Sequence, residues 1–203
     1  MLTVALLTEK GGGGKSTLAV HLAVCALKQG KAVAVIDLDP QASARQWAER
    51  RAADDLTVVS ATVQELPRLL EDARQQGADI VVIDTPGRMD VTTARVIETT
   101  DIVLIPCRPS IYDLEASRKT AESLSQASGK KGAFILNAVP PRGTRSQEAR
   151  DALQDVLPVA PVELHQLVAY SDALNNGRSV EELQPRGKAA QEIRALYEWL
   201  VNF

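Results

Sequence analysis

The chain has 203 residues and is 45% hydrophobic and 24% charged. This balance is typical of a folded globular protein and excludes a disordered, collagen-like or fibrous chain. Its 23 basic and 26 acidic residues give a net charge of −3, so contact with nucleic acid would have to come from a local basic patch. Aromatic residues make up only 3%, which predicts an aliphatic core and leaves few rings for stacking on bases.

Neither the cysteines nor the apolar runs indicate export or a membrane span. Cys25 and Cys107 stand alone in apolar surroundings, which predicts no disulfide framework and no metal site and fits a reducing cytoplasm. The first residues have no basic region and no cleavage site, so we expect no signal peptide. No apolar run approaches the roughly 20 residues that a membrane helix needs.

Short β-branched apolar runs alternate along the chain with longer segments of helical periodicity. The predicted strands are Leu2–Thr8, Ala32–Leu38, Leu56–Ser60, Ile80–Asp84, Ile102–Cys107 and Ala133–Ala138, and the segment near Val159–Glu163 is compatible with one more. The predicted helices are Ser16–Gln29, Ala42–Arg51, Val63–Gln76, Val91–Glu98, Leu114–Ala127, Arg145–Val156 and Gly187–Phe203. This alternation predicts an α/β fold with a mostly parallel central sheet flanked by helices on both faces. Pro140–Gly143 and Asn175–Ser179 are interpreted as loops, so we expect one domain over residues 1–203.

The most informative segment lies between the first predicted strand and the first predicted helix. Its four glycines let the backbone turn tightly and aim several N–H groups at one point, and a helix N-terminus adds partial positive charge there. Lys15 is expected to reach the β- and γ-phosphates of ATP, or the β-phosphate of ADP, Ser16 to ligate Mg²⁺, and Thr17 to support the α-phosphate. The predicted phosphate-binding residues are Gly11, Gly12, Gly13, Gly14, Lys15, Ser16 and Thr17.

The loop departs from the common G-x-x-x-x-G-K-[ST] pattern. Glu9 stands where that pattern has glycine, and a second lysine, Lys10, precedes the glycines. With this change the segment resembles the deviant Walker-A ATPases of the ParA/MinD group, whose loop reads K-G-G-x-G-K-[ST]. The resemblance implies a P-loop NTPase in which Lys10 reaches across an ATP-bound homodimer to the partner subunit's phosphates. It would neutralise charge there as an arginine finger does.

Three aspartates follow predicted strands at the edge where ligands gather in α/β sheets. Acidic side chains at this edge suit a hydrated Mg²⁺ ion. By resemblance, Asp84 is the Walker-B aspartate, Asp39 positions the attacking water, and Asp37 is a supporting metal ligand or switch residue. The alternative is that Asp37 or Asp84 only caps the turn after its strand.

The resemblance extends to the second half of the chain. Asn137 ends a predicted strand where the family has a group that contacts adenine, and the alternative is an ordinary turn residue. The segment VAYSDALNNGRSVEEL resembles the family's segment beside the base. The arginine that many relatives carry just before it is replaced here by Leu167-Val168-Ala169, so no base or DNA contact is transferred to that point.

Within the family the chain most resembles short ParA-type partition ATPases, including the ParF-like group. That resemblance implies a slow, magnesium-dependent ATPase in the cytoplasm, associated with the nucleoid. Its ATP-bound dimer would bind nonspecific DNA, and a small ParB- or ParG-like partner would stimulate hydrolysis and release it. The chain begins at its first strand, so we expect no N-terminal DNA-binding domain. The candidate DNA contacts are Arg142, Arg145, Arg178 and Lys188, and the alternative for each is a solvated surface.

Two other functions remain open at this point. One is a MinD-like or protein-cargo positioning ATPase, and the other is a metabolic enzyme of the same superfamily. A membrane-surface helix usually carries several basic residues, whereas the C-terminal helix has Glu192 and Glu198 beside Arg194. We therefore expect this helix to pack on the core, without stable membrane anchoring.

Overall fold

One parallel sheet forms the centre of the computed structural model, which describes residues 1–87, 91–127 and 129–203. The strands are β1 (Leu2–Leu6), β2 (Val33–Asp37), β3 (Thr57–Ser60), β4 (Ile80–Asp84), β5 (Ile102–Cys107), β6 (Lys131–Val139) and β7 (Val159–His165). The helices of the described residues are α1 (Lys15–Lys28), α2 (Ser43–Arg50), α3 (Leu66–Gln75), α4 (Val91–Thr99), α5 (Ile111–Ser125), α6 (Arg145–Leu153), α7 (Val168–Asn175), α8 (Val180–Leu183) and α9 (Lys188–Asn202). The sheet order is β3-β2-β4-β1-β5-β6-β7.

The predicted α/β fold is confirmed, and the sheet is entirely rather than mostly parallel. β4 and β5 have the predicted bounds. β1 ends before the predicted Thr8 because the chain already turns there into the glycine loop. The segment near Val159 is a full edge strand, β7, which is longer than the pattern indicates.

Each strand sends alternate side chains into two separate apolar layers, because successive residues of a strand face opposite sides. On one face Val4 and Leu6 of β1 pack against α1, α2, α7, α8 and α9. On the other face Ala5 of β1 and Val103 of β5 pack against α3, α4, α5 and α6. Helices cover both faces, which explains why the strands are continuous apolar runs.

The carboxyl edge of the sheet contains a crevice at its centre. The chain leaves β1 for α1 on one face, whereas it leaves β4 and β5 for α4 and α5 on the other face. In the register of neighbouring strands, Leu6 of β1 and Asp37 of β2 both lie opposite Asp84 of β4. Ligands of open α/β sheets bind at this kind of reversal, so the crevice is the expected place for a ligand.

The sequence pattern did not predict α7 and α8, which follow β7. α8 begins at a capping box, in which the Ser179 hydroxyl accepts from the Glu181 N–H at 3.1 Å and the Glu182 carboxylate accepts from the Ser179 N–H at 3.0 Å. The Ser-x-x-Glu spacing that forms this box is visible in the sequence and could have located the helix.

The C-terminal helix packs on the core, as predicted. Ile193, Leu196 and Leu200 of α9 are buried in the apolar layer that also contains α1. Among the described helices, none is long and apolar enough to cross a bilayer.

Candidate functional site

The glycine loop connects β1 to α1 at the centre of the carboxyl edge. Gly14 immediately precedes α1 with a φ of +88°, a left-handed conformation that favours glycine. Asn137, at the carboxyl side of β6, donates from Nδ2 to the Gly13 carbonyl oxygen at 2.8 Å. Gly87, after β4, lies so close that a Cβ there would come within 2.8 Å of the Gly11 Cα. The loop is therefore braced on two sides, and its glycines allow both neighbours to approach.

Lys15 lies inside the crevice at the start of α1. It is only 6% exposed, and its ammonium lies 3.5 Å from the carbonyl oxygen of Lys10, at the long limit of a hydrogen bond. Burial lowers the pKa of Lys15, while Asp84 and Asp39 act in the opposite direction. A buried, weakly partnered cation beside a helix N-terminus is suited to binding a polyanion.

Asp84 ends β4 directly beside this cation. It is fully buried, and neither of its carboxylate oxygens has a hydrogen-bond partner among the described residues. Burial raises the pKa of Asp84 to about 7, while the neighbouring Ser16 hydroxyl lowers it and Asp37 raises it further. Two unpartnered carboxylate oxygens next to a serine hydroxyl fit a hydrated magnesium ion, which keeps most of its waters and takes few protein ligands. In the described part of the chain no three His, Cys, Asp or Glu residues form a metal cluster.

Asp37 and Asp39 flank the same edge on the β2 side. The Asp37 carboxylate accepts from the Asp39 N–H at 3.1 Å and from the Arg45 N–H at 3.0 Å, so it holds the turn into α2. Burial raises the pKa of Asp37, and these backbone hydrogen bonds oppose the shift. Asp39 accepts from the Gln41 N–H at 2.9 Å. Asp37 thus has the capping role that the sequence left open as an alternative, at a position beside Asp84.

Lys10 is held at the rim of the site rather than inside its own loop. Its ammonium lies 3.2 Å from Asp113 Oδ1 in the first turn of α5, and its side chain is 46% exposed. The Ser110 hydroxyl donates a short hydrogen bond to the other oxygen of Asp113. Among the described residues, Asp113 is therefore the one carboxylate that pairs with the Lys10 ammonium. The ammonium lies next to the phosphate loop and does not enter it.

A cavity of about 290 Å³ opens beside the loop, between α1, β7 and α7. Gly14 and Thr17 form its phosphate-loop side, and Asn137 lies at the boundary between the cavity and the loop. His21 and Tyr170 line it further in, with their ring centroids 5.3 Å apart. The volume and mixed lining suit a nucleoside whose phosphates extend into the loop.

Arg108 is a residue of this site that the sequence analysis did not single out. It follows β5, donates from Nη2 to the Gly12 carbonyl oxygen in a short contact, and lines the cavity. The partners are 96 residues apart, so no spacing rule connects them. Its position directly after a buried strand that ends at the ligand edge is the one signal that the sequence offered.

The candidate DNA contacts fall into two groups. Arg142, in the connection from β6 to α6, and Arg145, the first residue of α6, are both exposed at the edge that carries the phosphate loop. Arg178 and Lys188 lie on the opposite face of the sheet, where the Arg178 carbonyl accepts from the Trp47 indole at 3.1 Å and the Lys188 ammonium lies 3.7 Å from Glu192.

The fold uses other basic side chains of the second half of the chain. Lys130 donates to the carbonyl oxygens of Glu98 and Thr100, and Lys131 donates to that of Phe203. Arg150 donates to the carbonyl oxygen of Ala160 at 3.0 Å. These three side chains therefore bind carbonyl oxygens of the fold.

Comparison with known proteins agrees with this geometry. A family model for the CobQ/CobB/MinD/ParA nucleotide binding domain matches residues 4–180. Maintenance of carboxysome distribution protein A of Gloeobacter kilaueensis is 36% identical over 199 residues, which cover 96% of this chain and 89% of that protein. The protein of the same name from Halothiobacillus neapolitanus is 30% identical over 203 residues, covering 96% and 94%. The structure of the septum site-determining protein MinD with Mg-ADP from Pyrococcus horikoshii has a TM-score of 0.83 at 18% identity, covering 98% of this chain and 95% of that chain.

Proposed function

Because the chain belongs to the CobQ/CobB/MinD/ParA nucleotide-binding family, we propose that it is a positioning ATPase whose ATP-bound dimer carries a cargo over DNA. The family consists of P-loop ATPases, and ATP, ADP and Mg²⁺ are its ligands. What remains specific to this chain is the role of each site residue, the surface that the dimer binds, and the cargo.

The crevice supplies the groups for nucleotide binding and hydrolysis. The loop amides from Gly11 to Gly14 and the Lys15 ammonium bind the phosphates, with Thr17 at the α-phosphate and Asn137 at the base. Ser16 and Asp84 would hold a magnesium ion, and Asp37 would support that site while it caps the turn into α2. A magnesium ion bound there would supply positive charge to offset that of the phosphates. Asp39 positions the attacking water.

The placement of Lys10 is the observation that carries the proposal. Its ammonium lies at the rim of the loop, against Asp113 and half exposed, and is not buried beside Lys15. A cation in this position can be transferred to the phosphates of a second copy once the two loops face each other. The γ-phosphate gives ATP a contact for Lys10 that ADP does not have, so ATP favours the dimer.

DNA is the proposed track for this dimer. Arg142 and Arg145 are exposed at the loop edge and have no ion-pair partner among the described residues, so two copies would bring four such cations into one assembly. Arg178 and Lys188 would extend the contact on the other face. A small ParB- or ParG-like partner would stimulate hydrolysis and release the complex from the nucleoid in the cytoplasm.

We infer a protein assembly as the cargo, because two relatives that match nearly the whole chain are named for the distribution of carboxysomes. A plasmid is the second candidate, favoured by the resemblance of the chain to short ParA-type partition ATPases. A membrane-cycling role is disfavoured, because the apolar face of α9 is buried against α1 and β7.

Binding of nonspecific duplex DNA, measured with ATP, ADP or no nucleotide at two salt concentrations, tests the proposal. We expect binding only with ATP, together with a dimer by light scattering, and a marked loss of affinity at the higher salt concentration. K10A should keep monomer nucleotide binding and lose both the dimer and the DNA contact. A normal ATP-dependent dimer of K10A would contradict the proposed role of Lys10.

The same samples separate the remaining alternatives. R142A/R145A should dimerise with ATP but bind DNA more weakly, and K130A is the matched control, because Lys130 serves the sheet edge. If the parent dimerises with ATP but sediments with anionic liposomes instead of binding DNA, the DNA track is wrong and a membrane-cycling function replaces it.

A further inference from the structure

One wall of the cavity is formed by the end of β7, the first turn of α7 and the two residues that connect them. His165, Gln166, Leu167 and Tyr170 all line the cavity on this side. The segment leaves β7, the edge strand of the sheet, so strand contacts reach it from one side only, where the Gln166 N–H donates to the Val139 carbonyl oxygen of β6 at 2.9 Å. Whatever fixes this wall also fixes the width of the space that a nucleoside would enter.

A single carboxylate of the last helix holds the wall at three points. Glu192 Oε2 accepts from the backbone N–H of His165 at 3.0 Å and from the Tyr170 hydroxyl at 2.9 Å. Its other oxygen, Oε1, lies 2.8 Å from His165 Nδ1. These contacts connect both ends of the wall to one residue of α9.

The environment of Glu192 makes these contacts difficult to replace. The residue is only 8% exposed, and its one cationic neighbour among the described residues, Lys188, lies at 3.7 Å with a side chain that is half in solvent. Removing a buried acceptor leaves its donors unsatisfied unless the surrounding chain moves. Here the donors belong to the cavity wall, so the wall is the part that would shift.

The tyrosine side of the contact also faces the nucleoside space. The Tyr170 ring packs against the ring of His21, which is fully buried in α1 and lines the same cavity. Burial, together with Glu192, raises the pKa of Tyr170 well above its usual range, so its hydroxyl remains a donor to the carboxylate. The chain of contacts thus runs from α9 through Glu192 and Tyr170 to His21.

From this arrangement we propose that Glu192 is a positioning residue for the adenine nucleoside, which sets nucleotide affinity by holding the His165–Tyr170 wall against the cavity. The proposal rests on the nucleotide site described under the proposed function. It predicts that the two parts of ATP respond differently to a change at Glu192. Binding of the base and ribose depends on Glu192, whereas binding of the phosphates by the loop does not.

The test compares ATP with inorganic tripolyphosphate, which has the phosphates but no nucleoside. Dissociation constants are measured by calorimetry on the full chain for the parent, E192Q and Y170F. We expect E192Q to weaken ATP binding about tenfold, because a neutral amide replaces the carboxylate that accepts the hydrogen bonds of the wall. Y170F should weaken ATP binding about threefold, because it removes the hydroxyl of one contact. Tripolyphosphate binding should change less than twofold in both variants.

The matched control is E181Q. Glu181 is a largely buried glutamate of α8 that pairs with Arg194 of α9 at 2.8 Å, outside the cavity lining. E181Q should lower thermal stability as E192Q does, yet leave the ATP constant unchanged. Y170F removes only one hydroxyl, so it preserves the test if E192Q does not fold.

Three outcomes would overturn the inference: an unchanged ATP constant in Y170F and E192Q, an equal loss of ATP and tripolyphosphate binding, or the same ATP loss in E181Q. None of these would affect the proposed function while the parent still binds DNA with ATP. A parent that binds neither ATP nor tripolyphosphate would instead contradict the nucleotide site itself.

Discussion

At the scale of single residues, the site contains opposite charges that are buried without close partners among the residues that the structure describes. Lys15 has only a long contact to a carbonyl oxygen, and neither carboxylate oxygen of Asp84 accepts a hydrogen bond among the described residues. Buried groups in this state cost free energy that a bound ligand can recover. A phosphate beside Lys15 and a hydrated magnesium ion beside Asp84 would each supply the absent partner. Lys15 and Asp84 are thus already arranged as they would be with phosphate and magnesium bound.

Arg108 provides the first prediction at this scale. Its guanidinium contacts the backbone of the phosphate loop at Gly12, so we expect its remaining donors to reach a bound polyphosphate. We expect R108A to raise the dissociation constant for ATP about five- to tenfold, the loss of one charge-assisted hydrogen bond at a partly exposed site. Calorimetry measures this, and R142A is the control, because Arg142 is an exposed arginine beyond the cavity lining. Equal ATP affinity of R108A and the parent would show that Arg108 only covers the loop.

The contact between Lys10 and Asp113 provides the second prediction at the scale of single residues. Asp113 holds the lysine in its own subunit, and that contact must break before Lys10 can reach a second copy. D113N removes the charge of the side chain but keeps its size. We therefore expect the dissociation constant of the ATP-dependent dimer to fall about two- to fivefold, which corresponds to the free energy of a half-exposed ion pair. Analytical ultracentrifugation at several protein concentrations measures the change. A weaker dimer would mean that Asp113 also contributes to the dimer contact.

At the scale of elements, one turn fastens the end of α2 to the segment between α7 and α8. Arg51 is almost fully buried and makes two hydrogen bonds to Glu182, at 2.7 and 2.8 Å. The Trp47 indole donates to the Arg178 carbonyl oxygen, and the Arg51 guanidinium lies 5.2 Å from the centre of the Trp47 ring. Gly177 stands where the two elements come closest. This turn places α8, whose first N–H contacts His21 in the cavity.

A substitution at Gly177 tests the importance of this turn. Gly177 has a φ of +64°, and a Cβ there would collide with the Arg50 carbonyl group and lie 2.8 Å from the Arg51 nitrogen. We expect G177A to reduce the free energy of unfolding by about 2 to 4 kcal/mol, which combines left-handed strain with a backbone collision. G30A is the control for strain alone, because Gly30 has a φ of +76° and open space around it, and should cost about 1 kcal/mol. Urea unfolding measures both, and equal losses would show that no collision occurs.

Elements with local signals were predictable, and those fixed by distant contacts were not. The apolar runs of β4 and β5 gave their bounds directly, and the loop from Lys10 to Ser16 combines glycines and lysines in one short segment. Arg108 and Glu192 contact groups that are 96 and 27 residues away, so only the folded sheet brings them to the cavity. α7 has a small apolar face and depends on the core around it. The sequence therefore indicates the phosphate side of the site better than the nucleoside side.

At the scale of the whole molecule, the nucleoside cavity lies where the first helix meets the last third of the chain. α1 contributes His21, whose Nδ1 accepts from the Val180 N–H at the start of α8 at 3.4 Å. Nε2 of the same ring is buried without a partner in the described part of the chain. The folded state therefore requires a neutral His21 ring. Protonation would remove the acceptor at Nδ1 and would place a charge where water does not hydrate it.

This requirement predicts that global stability depends on pH through His21. Burial lowers the pKa of His21 to about 4, partly opposed by the Tyr170 backbone and Glu182, whereas the unfolded chain has the ordinary value of 6.5. As the pH falls below 6.5, the unfolded chain takes up the proton first, so stability present above that pH is lost progressively until pH 4. The loss attributable to this ring is about 3 kcal/mol.

The variant H21N isolates that contribution, because asparagine can still accept from the Val180 N–H but does not titrate. Urea unfolding without nucleotide, at intervals between pH 7 and pH 4, gives the free energy of unfolding of the parent and the variant. Their difference should shift by about 3 kcal/mol in favour of H21N across this range, since the other groups are common to both. H165N, which changes the only other histidine and retains His21, should keep the steep dependence. Parallel curves for the parent and H21N would show that the ring is hydrated in solution, and the cavity would then reach water at its inner end.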